Sequence, residues 1–314
     1  MDDTAPSVGS HALRGLKDIV FGSTAGIVSK VFEHPFDLAK VRLQSQVLDK
    51  DARFSGPLDC LRQTYLKEGF RGLYRGLPAP IVGAMAENAS LFLAYNEAQT
   101  LIRHFGGLAD SVPLSLPQLA LAGAAAGSVT SFFLTPIELV KCKMQVQMLV
   151  AETSSGFSKM QGPLGVLAST VRSTGLRGLW LGQTGTFIRE TGGGAAWFAT
   201  NELVARFFVA RRPGAEGKKD LNALELALAG AAAGVTYNLA LFPADSVKST
   251  MQTEDELRPT SAGQKRTFFG TFRAMYRAGG IRALYAGCGV TVARAVPSSA
   301  MIFLIYDGLT RRFE

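Results

Sequence analysis

The 314-residue chain is short of charge, cysteine and histidine. Charged residues make up 18% against 47% hydrophobic, too little charge and too much apolar content for an ordinary soluble domain. Its three cysteines, Cys60, Cys142 and Cys288, are odd in number and far apart, so they point to neither a disulfide framework nor a zinc site. Three scattered histidines, His11, His34 and His104, add no metal signature. No G-x-G-x-x-G follows a strand pattern and no nucleophile–base set stands out, so we expect no cofactor and no enzyme. A net charge of +8 calls for an anionic partner, but no block of five or more basic residues supports nucleic acid. The acidic, polar start M-D-D-T-A-P-S-V-G-S-H is neither a secretory signal nor an Arg-rich transit peptide, so targeting is expected in the body of the chain.

What the sequence has instead is a triplicate. P-F-D-L-A-K-V-R-L-Q from Pro35, P-I-E-L-V-K-C-K-M-Q from Pro136 and P-A-D-S-V-K-S-T-M-Q from Pro243 share four chemical positions. Each has proline, an acid two residues on, lysine five on and glutamine nine on. Upstream of each proline lies a four-spaced glycine pair, Gly22/Gly26, Gly123/Gly127 and Gly230/Gly234, which predicts close helix approach. Downstream come E-G-F-R-G-L-Y-R-G, T-G-L-R-G-L-W-L-G and G-G-I-R-A-L-Y-A-G, ending at Gly76, Gly182 and Gly287. An apolar segment of roughly 20 residues follows each, enough for a membrane span.

Each repeat thus reads as two long helices. The first runs over 13–45, 115–146 and 222–252, the second over 77–103, 183–209 and 288–311. Short amphipathic stretches near 57–68, 163–173 and 268–278 suit a membrane interface. The expected fold is an all-α membrane protein of six spans in three tandem repeats, 13–109, 113–212 and 220–312, behind a polar tail at 1–12. Proline within a helix removes a hydrogen bond and costs about 3 kcal/mol, so Pro35, Pro136 and Pro243 are expected kinks. Lys30, Glu33, Asp37, Lys40 and Arg42 are expensive in lipid, which predicts that the charged faces converge on a central polar pathway.

At these motifs the sequence resembles the mitochondrial carrier family, from about residue 13 to 312. The resemblance implies six tilted helices around a pseudo-threefold axis in the mitochondrial inner membrane and transport by alternating access. With six spans, both termini share one side; the expected side is the intermembrane space. It also implies a matrix gate of Asp37–Lys141, Glu138–Lys248 and Asp245–Lys40, braced by Gln44, Gln145 and Gln252. The family's opposite gate departs from pattern here. Asn96, Glu202 and Asp307 hold the acidic position, but Gln99, Ala205 and Thr310 hold the basic one. A weak gate is expected there, closed by hydrogen bonds or by Arg206 and Arg311. The downstream motif also lacks its usual acid at Thr174 and Gly279. Cardiolipin is the lipid the family implies. Helix-start amides at Gly56, Gly162 and Gly270 and at Gly76, Gly182 and Gly287 offer phosphate sites. We expect a monomer without nucleic acid.

An asymmetric substrate has to be read by residues that break the threefold symmetry. Counting from the starting glycines of the second helices, the first repeat offers Glu87, the second Arg189–Glu190 and the third Arg294. Two guanidiniums and two carboxylates suit a cationic amino acid, with its one carboxylate and two ammonium groups. Arg294 is expected to hold the carboxylate, with Glu87 and Glu190 taking ammonium groups and Arg189 positioning Glu190 or sharing the carboxylate. Alternatively Arg189 and Glu190 merely neutralise each other. Within the family this set is similar to the ornithine carriers, and Lys30 and Glu33 resemble their fungal members. Trp197 is a candidate for cation–π contact, and Asn238 and Ser131, which match Lys30, are candidate lining residues. The runner-up is a carnitine/acylcarnitine exchanger, against which Glu87 argues; a membrane scaffold is more remote. Cys142, between Lys141 and Lys143, is expected to be a reactive thiol.

Overall fold

The computed structural model describes residues 8–49, 52–107, 114–153, 161–212, 217–257 and 267–313. Among these residues the chain is helical with no strand. In order the helices are α1 (Val8–Ser45), α2 (Pro57–Leu73), α3 (Pro78–Gly106), α4 (Leu116–Thr153) and α5 (Pro163–Thr174). They continue with α6 (Gln183–Arg211), α7 (Ala223–Leu257), α8 (Phe268–Leu284) and α9 (Cys288–Phe313). Helix α1 begins at Val8, inside the stretch expected to be a polar tail.

Each repeat contributes a long helix through its proline, a short helix and a second long helix. Pro35, Pro136 and Pro243 lie inside α1, α4 and α7 without interrupting them. A carbonyl four residues before a helical proline loses its amide partner. For Pro136 that carbonyl is Phe132 O, and Trp180 Nε1 donates to it at 3.0 Å. For Pro243 it is Leu239 O, and Tyr285 Oη donates to it at 3.2 Å. The aromatic of the downstream motif therefore repairs the defect made by the proline of its own repeat. In the first repeat Tyr74 stacks on His34 instead.

The turns between short and long helices use left-handed backbone. Gly69, Gly175 and Gly280 have φ of 68°, 72° and 63°, and seven residues later Gly76, Gly182 and Gly287 have 85°, 86° and 80°. A side chain is disfavoured at these angles. The glycine pairs upstream of the prolines behave differently from expectation. Only at Gly127 does a neighbour come close, where a Cβ would stand 2.8 Å from Glu190 O. Gly22, Gly26, Gly123, Gly230 and Gly234 have open space. Four-residue spacing puts small residues on one face but does not fix which face meets a neighbour.

The long helices form a closed ring, in the order α1, α3, α4, α6, α7, α9 and back to α1. The second helix of one repeat packs on the first helix of the next, and α1, α4 and α7 also meet one another. Burial is inverted relative to a soluble protein. Arg42, Gln44, Gln145 and Gln252 are among the largest fully buried side chains, whereas Val82, Leu93, Phe132, Phe133, Leu203 and Leu304 are exposed on the outside. An apolar exterior around a charged interior is what a lipid solvent selects. By length and composition alone, Pro117–Gln147 and Leu224–Glu254 qualify as spans, and Pro57–Leu73 with Pro78–Gly106 qualifies as one bent pair.

An apolar core closes the end of the ring where the short helices sit. Val41, Leu43, Cys60, Cys142, Val146 and Val290 form one cluster across α1, α2, α4 and α9. Val247, Met251, Phe268 and Met275 form another between α7 and α8. Each fully buried aliphatic side chain contributes roughly 1.5–3 kcal/mol.

A charged cavity and its floor

Where α1, α4 and α7 converge, acids of one repeat meet lysines of the next. Lys141 Nζ lies 2.6 Å from Asp37 Oδ2 and Lys248 Nζ 2.8 Å from Glu138 Oε2, and Lys40 pairs with Asp245. Acid and lysine sit three residues apart on one helix face, so the first long helix of each repeat (α1, α4 and α7, the odd helices of the ring) offers one partner to each neighbour. The stems of the lysines are held by the glycines that precede the second long helices (α3, α6 and α9, the even helices of the ring). A Cβ at Gly287 would stand 3.2 Å from Lys40 Cα, and one at Gly182 3.0 Å from Lys248 Cγ. At Gly76 the close neighbour is Met144 Cβ, at 3.3 Å, with Lys141 O at 3.9 Å.

Above this floor lies a cavity of about 140 Å³ whose charged lining is Lys30, Asp37, Lys40, Glu87, Glu138, Lys141, Arg189, Asp245, Lys248 and Arg294. It is smaller than the roughly 300 Å³ at which ligand pockets usually begin, because its charges are drawn onto one another. Arg189 Nη2 reaches Glu138 Oε1 at 3.0 Å while pairing with Glu190. Arg294 Nε lies 3.1 Å from Asp37 Oδ1, and its Nη1 lies 2.8 Å from Glu33 Oε2. These bonds from even-helix arginines to the acids of the odd helices were not foreseen from the sequence. With Glu33 and Glu190, which pair with the arginines from off the lining, the charges balance: six lining cations against Asp37, Glu87, Glu138, Asp245, Glu33 and Glu190. Among described residues the Glu87 carboxylate makes no ion pair or side-chain hydrogen bond, the one lining charge of which this holds.

Other expected residues stand elsewhere. Glu33 and Glu190 are bonded to the arginines but are not on the lining. Glu33 is buried in a network with Lys30 at 3.0 Å, Ser29 at 3.4 Å and Ser298. Asn238 spends its amide on Gly234 O at 2.8 Å, and Ser131 is fully buried and accepts from Gln183 at 2.9 Å. Neither lines the cavity, nor does half-buried Trp197. The expected brace contacts are also absent among the described residues. Gln44 donates to Ser246 Oγ at 3.0 Å, Gln252 to Leu181 O at 3.1 Å, and the buried Gln145 amide has no partner. Standing a full turn beyond the lysines, the glutamines meet the next layer instead. Tyr237 was missed: its ring fills the space over Gly193, where a Cβ would lie 2.1 Å from Cε2. The signal was the empty position opposite Glu87 and Ser298 in the repeat alignment.

Toward the short helices the repeats differ. Arg42, fully buried, pairs with Glu68 of the downstream motif and donates to Thr64 Oγ1 at 2.8 Å and Gln145 O at 3.1 Å. Lys143 stands at the same repeat position but faces Thr174's repeat, which lacks the acid, and pairs with Glu256 at 2.9 Å. The third repeat has Thr250 and Gly279 and no charge on either side. Cys142 is 4% exposed and both flanking lysines are occupied by carboxylates, which removes the electropositive setting expected to make it reactive.

Among the described residues the opposite end of the ring holds no such lattice. Glu202 pairs with Arg206 of its own helix at 2.8 Å and with Lys218 at 2.7 Å, so Arg206 does not reach across helices. Asn96 is exposed and Gln99 half-exposed. The side chains of Asp307 and Arg311 lie outside the described ones. Of the helix-start glycines, Gly270 departs from expectation. Helix α8 begins at Phe268, and the Gly270 amide is already bonded to Thr267 Oγ1 at 3.1 Å.

Comparison with known proteins agrees with this architecture. The family model described as Mitochondrial carrier protein matches residues 12–106, 112–212 and 219–314. The chain belongs to the mitochondrial carrier family. It is 41% identical over 295 residues to mitochondrial ornithine transporter 1 of Saccharomyces cerevisiae, covering 93% of this chain and 94% of that one. It is 37% identical to a mitochondrial carnitine/acylcarnitine carrier-like protein of Arabidopsis thaliana, covering 93% and 96%. It is 30% identical to the mitochondrial arginine transporter BAC1 of the same plant, covering 93% and 92%.

Proposed function

We propose that the protein exchanges ornithine and related basic amino acids across the mitochondrial inner membrane by alternating access. The observation that carries this reading is Glu87, a carboxylate without a partner among the described residues in a cavity where the other charges are paired. It calls for a cation, and the arginines opposite call for a carboxylate on the same molecule. The greater identity to an ornithine transporter than to the carnitine carrier-like protein supports the same choice. A quaternary ammonium cannot donate a hydrogen bond to Glu87, which disfavours carnitine.

In this reading the six long helices span the membrane with both termini in the intermembrane space. The three lysine–acid pairs are the matrix gate, closed here, with Pro35, Pro136 and Pro243 as hinges. Unit charges at ~4 Å attract by roughly 4 kcal/mol at an effective dielectric near 20, before desolvation is subtracted, so a ligand can tip such a gate. Cardiolipin is the proposed lipid. A groove of about 510 Å³ at the seam of repeats 2 and 3, with Lys143, Arg177, Gly182, Thr267 and Phe268 on its walls, supports that choice.

The test is uptake of labelled ornithine into liposomes holding purified protein and internal ornithine, with arginine, lysine, citrulline and carnitine as competitors. Basic amino acids should compete best. Carnitine competing best would reverse the assignment, and absence of ornithine uptake would remove it.

A further inference from the structure

Arg189 and Arg294 stand in the same situation on α6 and α9, the two helices that flank α7 in the ring. Each is a cavity-lining arginine from an even helix. Each bonds one acid of the proposed gate, Glu138 at 3.0 Å or Asp37 at 3.1 Å, and one acid off the lining, Glu190 or Glu33. The gate acids thus have two cationic partners: a lysine from the next repeat and an arginine from the cavity wall. Asp245 follows the pattern weakly, with Arg189 Nε at 3.9 Å beside Lys40 and Lys248.

We infer that the two arginines are latches contested between the gate and the substrate's carboxylate, and that the carboxylate is the opening signal while the ammonium groups serve recognition. This inference rests on the transport reading above.

A ligand shifts a two-state equilibrium only by its difference in affinity for the two states. In the closed floor, a carboxylate reaching Arg294 must compete with the charge of Asp37, and one reaching Arg189 with that of Glu138. Once the odd helices separate, that competition is gone and the same carboxylate binds an uncontested guanidinium. The carboxylate therefore favours the open floor. An ammonium group on Glu87 breaks no gate contact, because Glu87 has no described partner to lose. Ammonium groups bind both states alike and shift nothing. A ligand with both ammonium groups but no carboxylate should enter the cavity and stay without opening the floor.

Ornithine amide meets that description, since it keeps both ammonium groups and neutralises the carboxylate. In liposomes loaded with labelled ornithine, the wild-type protein is offered external ornithine or external ornithine amide. The amide is expected to compete with ornithine uptake, yet at saturation to drive efflux at less than about a tenth of the ornithine rate, the loss expected when one charge-assisted arginine contact no longer favours opening. Efflux driven by the amide at a rate near that of ornithine would overturn the latch, and so would an amide that does not compete at any concentration. A protein that exchanges no ornithine at all would instead remove the transport reading. Because the comparison uses one protein and two ligands, loss of folding in a variant cannot imitate either result.

Discussion

Gly182 rests against the stem of Lys248 in the next repeat, where an added Cβ would stand 3.0 Å from Lys248 Cγ. Gly287 bears the same relation to Lys40. The acid of repeat two holds the head of Lys248 and the glycine of repeat two holds its stem. Gly182→Ala meets both this contact and a φ of +86°. It should destabilise by about 1–2 kcal/mol from backbone handedness alone, lowering the melting temperature in detergent. Gly162→Ala, in open space at φ −75°, should leave it unchanged. Equal effects of the two would mean that helix-start glycines act through one shared role, such as lipid binding.

The aromatic repair of the proline carbonyls gives a second expectation. Tyr285→Phe removes only the hydroxyl that donates to Leu239 O, keeping the ring stacked on Phe242. The loss should be about 1 kcal/mol, the net value of one hydrogen bond. Adding Pro243→Ala restores an amide for that carbonyl, so the double variant should recover the difference. If Tyr285→Phe costs the same with and without Pro243, the hydroxyl is not compensating the proline.

Much of this was legible in the chain itself. The repeat positions of Pro35, Pro136 and Pro243 named the acids and lysines that meet, because threefold symmetry converts sequence offset into spatial neighbourhood. Helix ends were legible from glycine: Gly76, Gly182 and Gly287 end the turns that precede α3, α6 and α9. What did not show was anything set by side-chain reach between different positions of the repeat. Arg294 on Asp37, Arg189 on Glu138 and Lys143 on Glu256 join positions that no repeat alignment pairs. The glutamines erred the other way, since a shared repeat position did not say which layer they bond. Gly193 was visible as a gap in the alignment, but its filling by Tyr237 needed the packing of α6 on α7.

Cys60, on the short helix α2, gives a further prediction. It is fully buried in α2, and burial pushes its thiol up from 9.0 to about 11. The thiolate is the reactive form, so Cys60 should resist maleimide at neutral pH and label only on unfolding. The linked stability has a definite sign. The native thiol holds its proton more tightly than the unfolded one, so the contribution is full below pH 9 and is lost as pH rises through 11. Cys60→Ala should flatten the fall in melting temperature over that range. Stoichiometric labelling of Cys60 in native protein at neutral pH would contradict the burial.

Glu87 offers a clean separation of stability from transport. Its carboxylate has no described partner, so Glu87→Gln removes a charge that folding does not use. Melting temperature should hold or rise, since an unpaired charge in a span is costly. Ornithine exchange should fall about 10- to 100-fold, the worth of one charge-assisted hydrogen bond. Loss of exchange together with loss of stability would place Glu87 in the scaffold instead.

The arginines make charge reversal at the floor a discriminating experiment. If the three lysine–acid pairs acted alone, exchanging acid and lysine within any pair would restore what the single changes lose. Exchange at Asp37 and Lys141 puts a lysine beside Arg294, which bonds Asp37 at 3.1 Å. Exchange at Glu138 and Lys248 puts one beside Arg189, at 3.0 Å from Glu138. Like charges at such distances repel by several kcal/mol at an effective dielectric near 20. At Asp245 and Lys40 the arginine contact is the longer 3.9 Å one from Arg189, but Lys248 Nζ also stands 3.1 Å from Asp245. Rescue of ornithine exchange should therefore be poor at all three pairs. Adding Arg294→Gln to the Asp37–Lys141 exchange should recover the closed-state melting temperature even though the carboxylate contact is gone. Full rescue at the first two pairs would mean that Arg189 and Arg294 contribute nothing to holding the floor shut.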